Sequence, residues 1–220
     1  MPTANPLRAQ EAAVKWHAKG YSVAFFLDQE DKQEYGPREF TYHGKYGGVW
    51  DATNKLACTA VGSFRYSVCV FAGDDMDPEP NYVASEIEAQ YRERFPDGYG
   101  VMQPCGDPQG RDASGKSAAA RICGSAWFGK AWIEQAYEGK GPTNATYWHF
   151  YADEELARVA EQQGVMWWRP DLTQYHRHWS FGHSRITPYQ ERNQKHWEMD
   201  RSIFMERLKL EFPGSGRKRT

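Results

Sequence analysis

The stretch Ser67-Val68-Cys69-Val70-Phe71-Ala72-Gly73-Asp74-Asp75-Met76-Asp77-Pro78 constrains this chain more than any other. Its apolar half has the length of a buried strand and is bounded by glycine and proline, which suits a strand better than a helix. Three carboxylates follow at once. They stand at the strand's C-terminal end, the edge where open α/β sheets bind ligands. A carboxylate beside a core needs a partner. A divalent cation bridging a phosphate-bearing ligand is one such partner. Water around a plain acidic turn is the competing one.

Around this stretch the chain alternates between strand and helix patterns. The sequence predicts a helix over 7–19 stopped by Gly20, a strand over 21–27 ending on Asp28, and a turn at Gly36-Pro37. Helices follow at 49–60, behind Gly47-Gly48, and near 82–95, with a strand over 99–104 and a helix within 126–137. A helix over 153–163 has Asp153 as its N-cap and Gly164 as its stop, followed by a strand at 165–168 and a long helix over 190–210. This order predicts an α/β layered domain with a mainly parallel central sheet and helices on both faces. At 220 residues the chain can bury a sizeable core as one domain. We divide it into a domain over 1–180, a C-terminal helical arm over 181–213 and a disordered basic tail over 214–220.

Composition narrows the function classes. A net charge of −2 excludes a globally basic nucleic-acid-binding surface. Cys58, Cys69, Cys105 and Cys123 form no CxxC pair, so reduced core thiols are expected rather than a zinc site. No apolar window reaches membrane length and the N-terminus has no signal pattern, so a cytoplasmic protein without membrane contact or an obligate protein partner is expected. The sequon Asn144-Ala145-Thr146 then carries no glycan.

Four constellations bear on chemistry. Asp75 and Asp77 are two apart, which in extended chain puts both on one side, suited to a hard cation. Asp74 would face the other way and support a ribose or the backbone. Asp153-Glu154-Glu155 opens an apolar helical pattern. Acids there stabilise a helix start, and one of them, Asp153 or Glu154, could be a general base. His176 and His178, within Tyr175-His176-Arg177-His178-Trp179, share a face if extended and could supply a metal ligand. Gly110-Arg111-Asp112-Ala113-Ser114-Gly115-Lys116-Ser117 matches the P-loop pattern letter for letter. However, Cys105-Gly106-Asp107-Pro108-Gln109 separates it from its strand, and the acidic strand precedes it. A glycine-rich loop near the site is the better reading. Gly73-Asp74-Asp75 also resembles motif C of viral RNA polymerases, but 220 residues cannot hold fingers, palm and thumb.

In order, the chain presents Pro2-Thr3-Ala4-Asn5-Pro6, a strand ending in Asp28, Gly47-Gly48 with Asn54-Lys55, Asp75-Met76-Asp77-Pro78, Asp153-Glu154-Glu155-Leu156 and a Trp-rich segment with His176 and His178. Over residues 1–180 this order resembles GT-A-fold glycosyltransferases of the family-2-like type, especially short phage-encoded ones. The resemblance implies a single Rossmann-like GT-A domain and transfer of one sugar from a nucleotide-diphosphate sugar, a UDP-sugar first, with Mn²⁺ or Mg²⁺. It implies that Pro2, Thr3 and Asn5 line the nucleotide pocket, that Asp28 meets base or ribose, and that Asn54 and Lys55 contact the nucleotide. It assigns ribose and metal-diphosphate to Asp75 and Asp77, the catalytic base to Asp153, and a metal ligand to His176 or His178. Two departures stand out. The first acid of the family's Glu-Asp pair is Ala152, which keeps Glu154 open as the base. The family's first strand is nearly missing, because the sequence begins at its end. The Gln-x-x-Arg-Trp pattern of processive synthases is absent, which favours single-sugar transfer. Phage relatives suggest hydroxymethylated pyrimidines in DNA as acceptor. Trp167, Trp168 and Trp179 with Arg169, Arg177, Arg185 and the basic tail suit an extruded base, and they suit a sugar ring equally.

Overall fold

The computed structural model describes residues 1–29, 38–106, 120–177 and 188–217. The Gly36-Pro37 turn, the Gly110–Ser117 loop, His178, Trp179 and Arg185 lie outside them.

The first helix, α1 (Pro6–Ala18), starts where the sequence says it should. The Asn5 side chain accepts from the Arg8 amide at 3.1 Å, and Pro6 fills the first turn, where a missing N–H costs nothing. Strands β1 (Ala24–Asp28) and β2 (Phe40–Gly44) then pair in parallel. Helix α2 (Val49–Ser63) opens behind Gly48, at φ 109. A side chain there would strike the Trp148 carbonyl oxygen, 2.5 Å from an ideal Cβ, so glycine is required. Strand β3 (Val68–Val70) and the two-residue β4 (Met76–Asp77) flank the acidic turn. Helix α3 (Ala84–Arg94) is secured by Glu86, which reaches back to the Val83 amide at 2.9 Å.

The remaining elements are β5 (Val101–Pro104), β6 (Trp127–Gly129), α4 (Lys130–Gln135), α5 (Ala152–Gln162), β7 (Met166–Arg169), β8 (Tyr175–His176), α6 (Pro188–Gln194) and α7 (Trp197–Lys209). Four strands form a sheet in the order β3-β6-β5-β7. β6 runs antiparallel to both β3 and β5, and β7 runs parallel to β5. β3, β5 and β7 therefore share a direction and β6 alone is reversed. The fold is mixed α/β, with helices packed against small sheets.

The helix expected within 126–137 is α4, and before it Trp127 and Phe128 are buried between two strand neighbours. Gly129 belongs to that strand, since a side chain there would collide with the Gly98 carbonyl oxygen. Two expectations change here. The helix expected over 190–210 breaks at Lys195-His196 into α6 and α7, and the His196 ring stacks on Trp148 with centroids 4.2 Å apart. Residues 214–217 are held rather than free. Ser215 is buried, and Arg217 reaches Gln135 at 2.6 Å and Asp97 at 3.2 Å.

The main core joins α1, α2, the four-stranded sheet, α5 and α7, through side chains such as Phe128, Trp132, Leu156 and Phe204. Each fully buried large side chain contributes roughly 1.5–3 kcal/mol.

Candidate functional site

The acidic stretch leaves the sheet after Val70 and turns. The Met76 amide donates to the Gly73 carbonyl at 3.3 Å, making Asp74 and Asp75 the central residues of a β-turn. Gly73 allows this, because a Cβ there would stand 2.6 Å from Asp75 Oδ1. The i, i+2 argument assumed extended chain, and the turn breaks it. Among the described residues the carboxylates of Asp75 and Asp77 stand in different ion pairs, and Asp74 and Asp75 share a cation.

That shared partner is Arg8 of α1, whose Nη2 lies 3.1 Å from Asp74 and 3.6 Å from Asp75. The Thr3 hydroxyl also donates to Asp74 at 2.7 Å. Lys15 stands seven residues after Arg8, which is two turns along the same helical face. It meets Asp77 at 2.7 Å, and Arg177 meets Asp77 at 3.2 Å. Strand β4 pairs antiparallel with β8, which sets Met76 against His176. That register brings His176 Nε2 to 3.5 Å from Asp75 Oδ1. Trp16 and Gln174 fix the backbone on either side, donating to the carbonyls of Met76 and Phe71, each at 3.0 Å.

Asp153 stands in the first turn of α5. It is not the N-cap. Tyr151 holds that position at φ 67 with no side-chain cap bond. Burial pushes the Asp153 carboxyl up to about 6, against the pull of the Glu154 amide, which donates to it at 3.0 Å, and of the nearby His176. Burial also raises Asp74, opposed by Arg8 and the Thr3 hydroxyl. Glu154 is turned aside, paired with Arg158 at 3.0 Å. His176 thus lies 3.5 Å from Asp75 and exerts a weak pull on the Asp153 carboxyl.

Several residues assigned to the nucleotide do structural work instead. Asn5 spends its side-chain oxygen capping α1. Asn54 is buried, and its carboxamide is taken by Thr143, to whose carbonyl it donates at 2.8 Å and from whose amide it accepts at 3.1 Å. Pro2 forms a parallel bridge with Phe26. Lys55 pairs with Asp51 at 2.7 Å and lies over the Phe26 ring. Asp28 is exposed at the end of β1, opposite Gly44. Of the aromatic and basic residues set aside for an acceptor, Arg169 is buried with Asp171 and Gln90, and Trp168 donates to Glu161 at 3.0 Å.

Arg8 and Lys15 were not identified from the sequence, and Arg177 only as a residue for the acceptor. The first two had a signal, two basic residues seven apart on a helix that follows the Pro2-Thr3-Ala4-Asn5 segment. Two further carboxylates carry no local signal. Glu155, fully buried, accepts from the Tyr147 hydroxyl at 2.7 Å and from Arg207 twice at 2.8 Å. Asp200, also fully buried, accepts the amides of Trp148, His149 and Phe150, each at 2.9 Å. These two clamp α7 onto the segment that leads into Asp153.

The metal implied by the resemblance does not fit these side chains as they stand. Three carboxylates already face three protein cations, Arg8, Lys15 and Arg177. A dication would add uncompensated charge. Among the described residues no group of three or more His, Cys, Asp or Glu is arranged to hold a metal ion.

Among the described residues no helix is long and apolar enough to cross a membrane. No protein-family model matches the chain, and no curated protein matches it. Among solved structures it is similar to the one described as "Crystal Structure of A197 from STIV", with a TM-score of 0.42 and 11% identity over 71% of this chain and 85% of that one. A likeness that slight says nothing about function.

Proposed function

We propose that the chain is a GT-A-type glycosyltransferase that moves one sugar from a nucleotide-diphosphate donor to an acceptor hydroxyl, with inversion. The observation that carries this reading is the acidic turn with His176 Nε2 3.5 Å from Asp75, on the side from which that imidazole exerts a weak charge effect on Asp153, a carboxyl that burial raises. The common direction of β3, β5 and β7, with the acids at the C-terminal end of β3, supports the Rossmann-like part of it.

The chain's own residues supply the steps. Asp153, with its carboxyl near 6, is largely ionised at pH 7 and still basic enough to take a hydroxyl proton. The acceptor oxygen then attacks the anomeric carbon from the face opposite the diphosphate. Asp74 and Asp75 present oxygens that can accept from ribose hydroxyls, and Thr3 orients Asp74. Arg8, Lys15 and Arg177 stand in exchangeable ion pairs and can turn to the diphosphate, stabilising the charge that develops on the leaving group. No step requires a metal.

A thermal-shift panel of nucleotide sugars, run with and without Mn²⁺, tests the class. Stabilisation by one UDP- or GDP-sugar names the donor. The Mn²⁺ arm tests whether a cation enters with it. No shift with any donor, and no donor turnover, defeats the reading. NMR of the product anomer decides inversion. The acceptor is a hydroxymethylated pyrimidine in DNA or a saccharide, and a salt series separates the two, because DNA binding weakens steeply as salt rises. Loss of activity in Lys116→Ala, with Asp153→Asn still active, would favour a P-loop phosphotransferase.

A further inference from the structure

Four consecutive aromatic residues, Trp148-His149-Phe150-Tyr151, lead into the helix that carries Asp153. The first two are tied to α6 and its end. Trp148 lies against the His196 ring and donates to Asn193 at 3.1 Å, and His149 meets Asn193 through Nδ1. The last two frame a tryptophan of α7. Trp197 meets Phe150 edge-on with centroids 4.7 Å apart, and it tilts against Tyr151 at 5.1 Å. Tyr151 is backed in turn by Phe204, at 5.2 Å. The indole at the centre of this frame is nevertheless 42% exposed.

The frame is built at a cost. Asp200 holds the amides of residues 148–150, and Tyr151 then sits at φ 67, where a residue with a Cβ loses about 1–2 kcal/mol. Strained backbone of this kind concentrates at functional sites. Here it lays the Tyr151 ring between Trp197 and Phe204. Polar groups stand at the rim. Glu198 and Arg201 are exposed and 4.0 Å apart, and both act on the Tyr151 hydroxyl, as Glu154 does.

These features discriminate between ligands. The two arginines at the rim are matched, Arg201 by Glu198 and Arg158 by Glu154 at 3.0 Å. A nucleic-acid backbone gains its affinity from cations set against its phosphates. An extruded base is enclosed in a pocket that stacks on it from both sides. A sugar ring needs one open aromatic face. The electron-rich face of an indole attracts the polarised C–H groups of a pyranose, and carboxylate and guanidinium groups at the rim suit its hydroxyls.

We propose that Trp197, framed by Phe150 and Tyr151, is the stacking platform of an acceptor subsite for a neutral saccharide, with Glu198 and Arg201 meeting its hydroxyls. Tyr151 is two residues before Asp153, at most about 7 Å of chain, so the platform is carried by the segment that presents the base. Its role as acceptor subsite rests on the transferase reading of Asp153. The contact between saccharide and indole does not.

The test is saturation-transfer NMR on the full chain, without donor, using cellopentaose, maltopentaose, chitopentaose and a short single-stranded oligonucleotide carrying hydroxymethylcytosine. At least one saccharide should show transfer to its ring C–H protons. Its Kd should rise at least about tenfold in Trp197→Ala and stay within about threefold of wild type in Trp197→Phe. Trp168→Ala should leave it unchanged, since that indole is tied to Glu161. In the wild type the indole N–H resonance of Trp197, identified by its loss in Trp197→Phe, should shift as the saccharide is added. That reading holds even if the alanine variant does not fold. The proposal is overturned by no transfer to any saccharide, by an equal Kd in Trp197→Ala, by an unmoved Trp197 resonance, or by the oligonucleotide binding at Trp197 instead. Saccharide contact at Trp197 without donor turnover keeps the platform and defeats the transferase reading. Donor turnover without that contact does the reverse.

Discussion

Two sets of carboxylates in this molecule live by different rules. Glu155 and Asp200 are fully buried and saturated, one by Tyr147 and a two-pronged Arg207, the other by three consecutive backbone amides. Asp74, Asp75 and Asp77 sit in a turn at intermediate burial and are answered mainly by long basic side chains from α1 and from the residue after β8. The first set cannot release its partners without leaving a buried charge, so it holds the fold. The second set can exchange its partners for a ligand. Asp153 stands between them, burdened by burial like the first set but without a partner cation of its own strength. The contrast shows that the most buried acids here are the scaffold and that the half-buried ones are the candidates for chemistry.

The largest effect should come from the residue between the sets. Asp153→Asn is expected to lower kcat by about 10²–10⁴-fold, measured with the donor found in the thermal-shift panel. The wild-type rate should fall about tenfold per pH unit below about 6, as the base takes up its proton. Stability should move the opposite way. The folded carboxyl binds its proton more tightly than the unfolded one, so stability falls as pH rises from about 4 to about 6. Removing that charge should restore up to about 3 kcal/mol at pH 7, read by urea unfolding. A variant that is both inactive and less stable would place Asp153 with the scaffold.

Next in size is the scaffold itself. Glu155→Ala strands the Arg207 guanidinium and should cost about 3–5 kcal/mol in urea unfolding. Asp75→Asn, tested alongside, should stay within about 1 kcal/mol of wild type, because its partners are partly solvated. Equal losses would erase the distinction. Gly73→Ala should be smaller still. Its Cβ pushes Asp75 Oδ1 from its place, and a roughly tenfold weaker donor Kd, about 1.4 kcal/mol, is expected in calorimetry. Lys15→Ala should be the mildest change to stability, under about 1 kcal/mol, since its ion pair with Asp77 is surface-exposed.

Much of the local structure was legible. Gly20, Gly48 and Gly164 marked where helices end or begin because forced backbone angles act over a few residues. The acidic turn, Asp153 and His176 were legible as candidates because charged groups beside apolar runs are rare. What was not legible depends on distance along the chain. Nothing near Asp200 says that it will hold residues 148–150, and nothing in Trp127-Phe128-Gly129 separates a reversed strand from a helix until its neighbours are known. Asn54 misled for the same reason, since its partner Thr143 is 89 residues away. Asp77 misled differently. The i, i+2 spacing assumes extended chain, and the turn at Gly73 changes where the side chains point.

The clamp made by Asp200 and Arg207 also sets an order of events. The strand edges, α2 and the acidic turn are all translated before it, and so is Asp153. The backbone that presents Asp153 is fastened only when α7, some fifty residues further on, has emerged from the ribosome and docked. A nascent chain stalled before Asp200 would hold every residue proposed for the reaction and still lack the fixed base. Such a chain would present Asp153 on an unfastened helix start until synthesis had passed α7.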